Sequence, residues 1–445
     1  MNTKLSFFHY SVLLVILGFP FSSQGQSQPL KALASESFQL ASDMEVGLEI
    51  EARAPTASWL RKGSEASAIL ISVEGKYNQD LLLWAGDELF VYRVMLGRLP
   101  KGRHTVSVAL NSARSAAAAH RAEIKSLRPV LFASTAAADN TDEQLALAHS
   151  PVLYARANTI DRFTDIPLLM YYEVFHEANG NVIVRYTAIF SNEDGGTQTA
   201  ALMARWGRAT DIEWVYQIRA KEGKVIEETF QGVEHETKFF TGPRDSGNHP
   251  LLAVASDNNN FSDLACSAVR FAPLPFRARL ESATRESVMD QYPQTYRVMT
   301  EELIRERRIS DAPLDINTIA DPREYLYIEA TSEQEGAALA FDVQASGQVK
   351  PFASDMGEPR LRIDRSGYFR TAVRMPKSVS PAELESITAR CHATQQPVSQ
   401  RRCHGLKVVR VLVLDQNFVP RPLQLQTQPA ASLKPDEIQV YRLKI

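Results

Sequence analysis

The chain has 445 residues, 44% hydrophobic and 23% charged, which is enough apolar material for several buried cores. Its formal net charge of −3 gives no global basic field, so a nucleic-acid partner held by bulk electrostatics is excluded. Length alone suggests about three domains.

The N-terminus carries the clearest signal. Lys4 precedes a short apolar run, Ser11 to Phe21 (SVLLVILGFPF), and Ser22 to Gln26 is small and polar. This is the pattern of a secretory signal peptide, residues 1–25, cleaved after about Gly25. No later run is long enough to span a bilayer, so the expectation is a secreted or periplasmic protein with no transmembrane helix once the signal is removed. Three cysteines, Cys266, Cys391 and Cys403, are too few for a disulfide framework.

Period-two alternation then dominates. Met44, Val46, Leu48 and Ile50 form one set, Ile69, Ile71 and Val73 another, and His104 to Leu110 follows the turn sequence Leu99-Pro-Lys-Gly102. Strands punctuated by Gly/Pro turns predict an antiparallel β-sandwich over 31–130. Residues 131–148 read as a linker and short helix, with Thr141-Asp-Glu-Gln144 as a capping box. A second sandwich is expected over 149–285. Glu286 to Ile309 is the one long helical pattern, interrupted near Pro293, and 286–311 is assigned as a connecting helix. Tyr296, Met299, Leu303 and Ile304 make its apolar stripe, and Glu301, Glu302, Arg305, Arg307 and Arg308 its wet face. A C-terminal β-rich domain fills 312–445, interrupted by a helix predicted from the capping signature Ser380-Pro-Ala-Glu383 with Leu384, Ile387 and Cys391 on one face. The fold class is therefore mainly β: antiparallel sandwich modules joined by one long helix.

Chemistry concentrates at WGRATDIEWVYQI, Trp206 to Ile218. In a strand, residues two apart share a face, so Asp211 and Glu213 point together, with Ala209 and Gln217. Ile212, Trp214, Tyr216 and Ile218 point the other way, toward a core. Two carboxylates about 7 Å apart along a strand can share a hard cation such as Ca²⁺ or Mg²⁺, or divide acid and base roles. They are equally what the solvent side of a sheet carries. His235 and His249 are the imidazoles that could complete a metal site, and Trp206 and Arg208 flank it. Asp257-Asn-Asn-Asn-Phe-Ser-Asp263 is rich in oxygen ligands, with Asp257, Asn259 and Asp263 as binding candidates, but it lacks the Gly and Glu of an EF-hand loop. Cys391-His392 and Cys403-His404 match no familiar zinc finger, and a disulfide closing the polar 393–402 loop is the stronger reading. Cys266 is then the odd thiol.

The ordered segments HSPVLY (149–154), GRATDIEWVYQI (207–218) and HPLLAVASDNNNFSD (249–263) resemble the plant and fungal vacuolar-protein-sorting-associated sixty-two-like family, whose centre is Gly-Arg-x-x-Asp-Trp-Glu. More distantly they are similar to the necrosis-inducing secreted proteins, β-sandwiches with a His-Asp-Trp-Glu centre. That resemblance implies a sandwich in which Asp211 and Glu213 help to hold a divalent cation. Ile212 stands where the family has its Trp, and the family's His after the His-Pro segment is missing.

No Gly-x-Ser-x-Gly, Walker, Gly-x-Gly-x-x-Gly or His-Glu-x-x-His motif occurs. Three readings stay open. The leading one is a non-catalytic exported protein binding a glycan, a lipid head group or a protein. The second is a metal-dependent hydrolase of envelope or extracellular polymers using Asp211 and Glu213, with His235 or His249 as ligand or base. The third is a structural docking scaffold.

Overall fold

The structure is a computed structural model that describes residues 30–132, 138–156, 158–193, 195–264, 267–312, 316–395 and 398–443. The expected signal peptide and the thiol of Cys266 lie outside them. The chain is a multidomain β protein. In the N-terminal module a four-stranded sheet (Ala32–Leu40, Gly102–Leu110, Ala68–Val73, Lys76–Leu82) faces a three-stranded one (Phe90–Leu99, Met44–Arg53, Glu123–Phe132), all antiparallel. The alternating residues read from sequence fill its core: Val46, Leu48, Ile50, Ile69, Ile71 and Val108 are fully buried.

The central module pairs a six-stranded sheet with a smaller one. The first runs Thr237–Phe239, Lys224–Gln231, Ile212–Lys221, Asn181–Phe190, Pro167–His176, Phe276–Arg277. The second runs Arg244–Asp245, His249–Val254, Val152–Tyr154, Arg270–Phe271, and there Val152–Tyr154 lies parallel to His249–Val254. Between the sheets Tyr172, Tyr186, Phe190, Tyr216, Phe230 and Phe261 form the core. The outer face of the large sheet carries Tyr171, Ile189 and Ile212 against the helices Thr199–Trp206 and Gln294–Arg305.

The modules are not strung out. Met95 N–H donates to Ala272 O at 2.7 Å and Leu274 N–H to Arg93 O at 3.1 Å, so the N-terminal sheet continues onto the central module. His249 does the same with side chains. Its Nδ1 lies 2.8 Å from Ser150 O and its Nε2 2.9 Å from the Glu45 carboxylate of the N-terminal module.

Three local expectations are corrected. The helix spans Ala138–Ala148, so Thr141 sits inside it and is no N-cap. The connecting segment is two helices, Ser287–Asp290 and Gln294–Arg305, because Pro293 cannot donate its missing N–H to a continuing ladder. It is a buried strut, since Glu302 is fully buried beside Arg305 while Ile304 is exposed. The Ser380 capping box is real, but it caps a single 3₁₀ turn, Pro381–Glu383, followed by the strand Leu384–Ala393. Ile387, Ala389 and Cys391 therefore face the core with a period of two.

The C-terminal module is a sandwich of the sheets Gly367–Arg374, Tyr325–Glu335, Arg402–Leu414, Pro420–Pro422 and Phe352–Ala353, Ala337–Ala345, Leu384–Ala393, Ile438–Arg442. Cys391 and Cys403 form a disulfide that crosses between them. A buried charge network fastens this module to the strut. Arg370, fully buried, pairs with Asp290 at 2.7 Å and Glu329 at 2.5 Å, and Arg410 pairs with both carboxylates. Among the described residues no helix is long and apolar enough to cross a membrane.

Candidate functional site

The strand Ile212–Lys221 does not alternate regularly. Against its neighbour the register runs Tyr186↔Tyr216, then Thr187↔Trp214, leaving Val215 as an extra residue, a β-bulge. Directly opposed residues share a face. Glu213 opposes Ala188, a core residue between the sheets, while Trp214 opposes Thr187 on the outer face. This inverts the expected arrangement. Trp214 leaves the core and lies half-buried under the Arg185 guanidinium, 6.0 Å from its ring, with Gln217 on that same outer face. Asp211 and Glu213 turn inward, to one end of the sandwich.

Four segments meet there. Asp211 is almost wholly buried and accepts from Asn259 Nδ2 at 2.9 Å. Glu213 accepts from Gln231 Nε2 at 2.5 Å, and its carboxylate lies 3.7 Å from His235 Nδ1. Asn258 Nδ2 lies 2.9 Å from His235 Nε2, and Asn260 Nδ2 lies 3.4 Å from its Nδ1. Glu193, also buried, arrives on the loop after Asn181–Phe190 and accepts from Thr197 N–H at 2.7 Å. Two glycines let that loop meet the asparagine loop. A Cβ on Gly195 would stand 2.9 Å from Asp257 Cβ, and one on Gly196 2.8 Å from Asn258 Cγ, at φ +89°. Asn259 itself sits at φ +47°, a left-handed conformation that asparagine tolerates better than most residues.

Burial dominates the electrostatics. It holds the Asp211 carboxyl above its usual range. Burial and the neighbouring Asp211 push Glu213 up to about 9 and Glu193 up to about 7. The two carboxyls share one buried space, and at neutral pH Glu213 keeps its proton. Arg208 is the nearby cation, but its Nε donates to Glu286 at 3.2 Å and its Nη1 to Thr210 O. Two buried amide oxygens, Asn259 Oδ1 and Gln231 Oε1, have no hydrogen-bond partner among the described residues.

Of the sequence candidates, Asp211, Glu213, His235 and Asn259 come together. His249 does not: its two nitrogens face Ser150 and Glu45, in the joint between modules. Arg208 is committed to Glu286, and Trp206 is sandwiched between Arg205 and Arg365, 4.8 and 4.9 Å from its ring. Asp257 pairs with Arg156, and Asp263 accepts from Thr241 N–H at 2.8 Å; both are structural. Glu193 and Gln231 were missed, because only the fold brings them near; Asn258 lies in the oxygen-rich segment 257–263 that the sequence marked, without being named. Among the described residues no three His, Cys, Asp or Glu side chains already stand as a metal cage.

No protein-family model matches the chain, and the curated proteins give no match either. Among solved structures, the tandem CBM51 modules of Sp3GH98, the family 98 glycoside hydrolase from Streptococcus pneumoniae SP3-BS71, align over 78% of this chain and 73% of theirs. The identity is 10% and the TM-score 0.15, so the two do not superpose as whole folds.

Proposed function

We propose that this is an exported binding protein whose central sandwich engages a hydroxyl- or phosphate-bearing ligand, a glycan or a lipid head group, through a divalent cation. The observation that carries the reading is the pair of partnerless amide oxygens, Asn259 Oδ1 and Gln231 Oε1, on the side chains that hold the buried Asp211 and Glu213 carboxyls. Oxygen-rich sets of this kind suit Ca²⁺ or Mg²⁺, which would displace the proton that Glu213 keeps and leave positions for ligand oxygens. Titrating the full chain with Ca²⁺ and Mg²⁺ by calorimetry at pH 7, in two buffers of different ionisation enthalpy, tests the idea. Binding with proton release, lost in Asp211→Asn with Glu213→Gln, is expected; absence of binding for both cations sinks it.

A second reading rests on Glu213 being protonated 3.7 Å from His235, whose side chain is 51% exposed. That is an acid beside a reachable base, as hydrolysis of a glycosidic or phosphoester bond requires. Release of reducing ends or phosphate from polymer substrates, abolished by Glu213→Gln, is its signature.

A further inference from the structure

A second cleft, of about 750 Å³, opens where the N-terminal module, the central sandwich and the end of the strut meet. Four cations line it, Lys62, Arg162, Arg305 and Arg308, against two carboxylates, Glu65 and Glu306. Two of the cations are held rigidly. Arg305 donates to Phe163 O at 2.8 Å and to Glu302, packs over the Trp59 ring at 5.5 Å, and is 8% exposed. Arg308 donates to Thr199 Oγ1 at 2.6 Å and to Glu193 O at 3.2 Å. Lys62 and Arg162 are exposed at the rim. In the wall, Arg305 Nη1 and Glu65 Oε2 are buried without a hydrogen-bond partner among the described residues, although their side chains pair at 3.4 Å. Thr164, Gln198 and Asn317 add neutral hydrogen-bonding groups.

We propose that this cleft binds an acidic oligosaccharide, one bearing carboxylates on a hydroxyl-rich chain. Its volume is in the range of sites for ligands of several rings and far exceeds what a lone oxyanion needs. Fixed guanidinium groups suit carboxylates, the exposed rim cations supply long-range attraction, and hydroxyl and amide groups suit sugar hydroxyls. The cleft uses none of Asp211, Glu213 or His235, so it stands or falls separately from the cation site.

The test is calorimetric titration of the full chain, in chelator and at low ionic strength, with trigalacturonate, maltotriose and inorganic phosphate. Trigalacturonate should bind, and Lys62→Glu with Arg162→Glu should weaken it at least tenfold. Asp211→Asn with Glu213→Gln should leave it unchanged. Thermal melts check folding, and the milder Lys62→Gln should weaken binding in the same direction. No binding of trigalacturonate, equal binding of maltotriose or of phosphate, or indifference to the charge reversals overturns the proposal.

Discussion

Glu213 lies opposite Ala188 on the inner face of the six-stranded sheet, and the extra residue at Val215 puts it there. Without the bulge, strict alternation from Tyr216 would send Glu213 to the outer face, away from the space between the sheets. A bulge that bends a strand at the end of a sheet and re-aims one side chain is a recurrent way of building a site. Here it turns two carboxyls into a space that penalises their charge.

That penalty makes stability depend on pH. The unfolded chain ionises Glu213 near its ordinary value of 4.5, while the folded chain keeps the proton up to about 9. Between those values the folded state binds more protons, so stability falls as pH rises. Asp211 and Glu193 are shifted in the same direction. In chelator, denaturant unfolding should show the protein weakening from pH 5 to 8.5. Glu213→Gln should flatten that slope and be the more stable protein at pH 8.5; parallel profiles for the two would count against the buried pair.

The β modules were legible because alternation survives wherever one sheet face is buried and the other is wet. The sequence also marked Asp211 and Glu213 as a pair, since spacing alone groups residues two apart. Which face they occupy was not legible: one extra residue inverts every side chain beyond it, and nothing in Trp214-Val215-Tyr216 announces the insertion. His249 looked like a ligand for the converse reason. Its partner Glu45 is 204 residues away, across a joint between modules that no local pattern describes.

That joint is open to direct test. His249 and Glu45 are both buried, with side chains 2% and 9% exposed. Glu45→Ala leaves the imidazole nitrogen without its acceptor, a loss of about 1–3 kcal/mol. Denaturant unfolding of His249→Ala, Glu45→Ala and the double variant should show strong non-additivity, since each single change already removes the shared bond. Simple additivity would mean that the contact contributes nothing.

The charge network at Arg370 predicts an acid limit. Although burial opposes it, Arg370 and Arg410 together pull Glu329 down to about 2, against an ordinary 4.5. A carboxyl with a depressed folded pKa contributes stability above the unfolded value and loses it as pH falls through the folded one, so this contribution fades between about 4.5 and about 2. Arg370→Leu leaves the buried Asp290 and Glu329 with Arg410 as their one remaining arginine in this network and should cost about 3–5 kcal/mol at pH 7. The deficit should shrink on acidification toward pH 3. A variant equally destabilised at pH 7 and pH 3 would show that lost packing, and not charge, is responsible.

The last prediction concerns Cys391 and Cys403, which are 12 residues apart and join the two sheets of the C-terminal sandwich across its core. A bridge closing a loop of this size removes freedom chiefly from the unfolded chain, for about 2–4 kcal/mol. Both cysteines are fully buried, so Cys391→Ala with Cys403→Ala also removes two core sulfurs. Reduction of the parent protein separates the two effects, because it opens the loop while leaving the sulfurs in place. Mild reductant should leave the native protein oxidised, since neither sulfur is reachable before the sandwich opens. Reductant with denaturant should then lower the unfolding midpoint, and the double variant should lie lower still. If thiol labelling of the denatured, unreduced chain finds three free cysteines, no bridge exists and the stability assigned to it falls away.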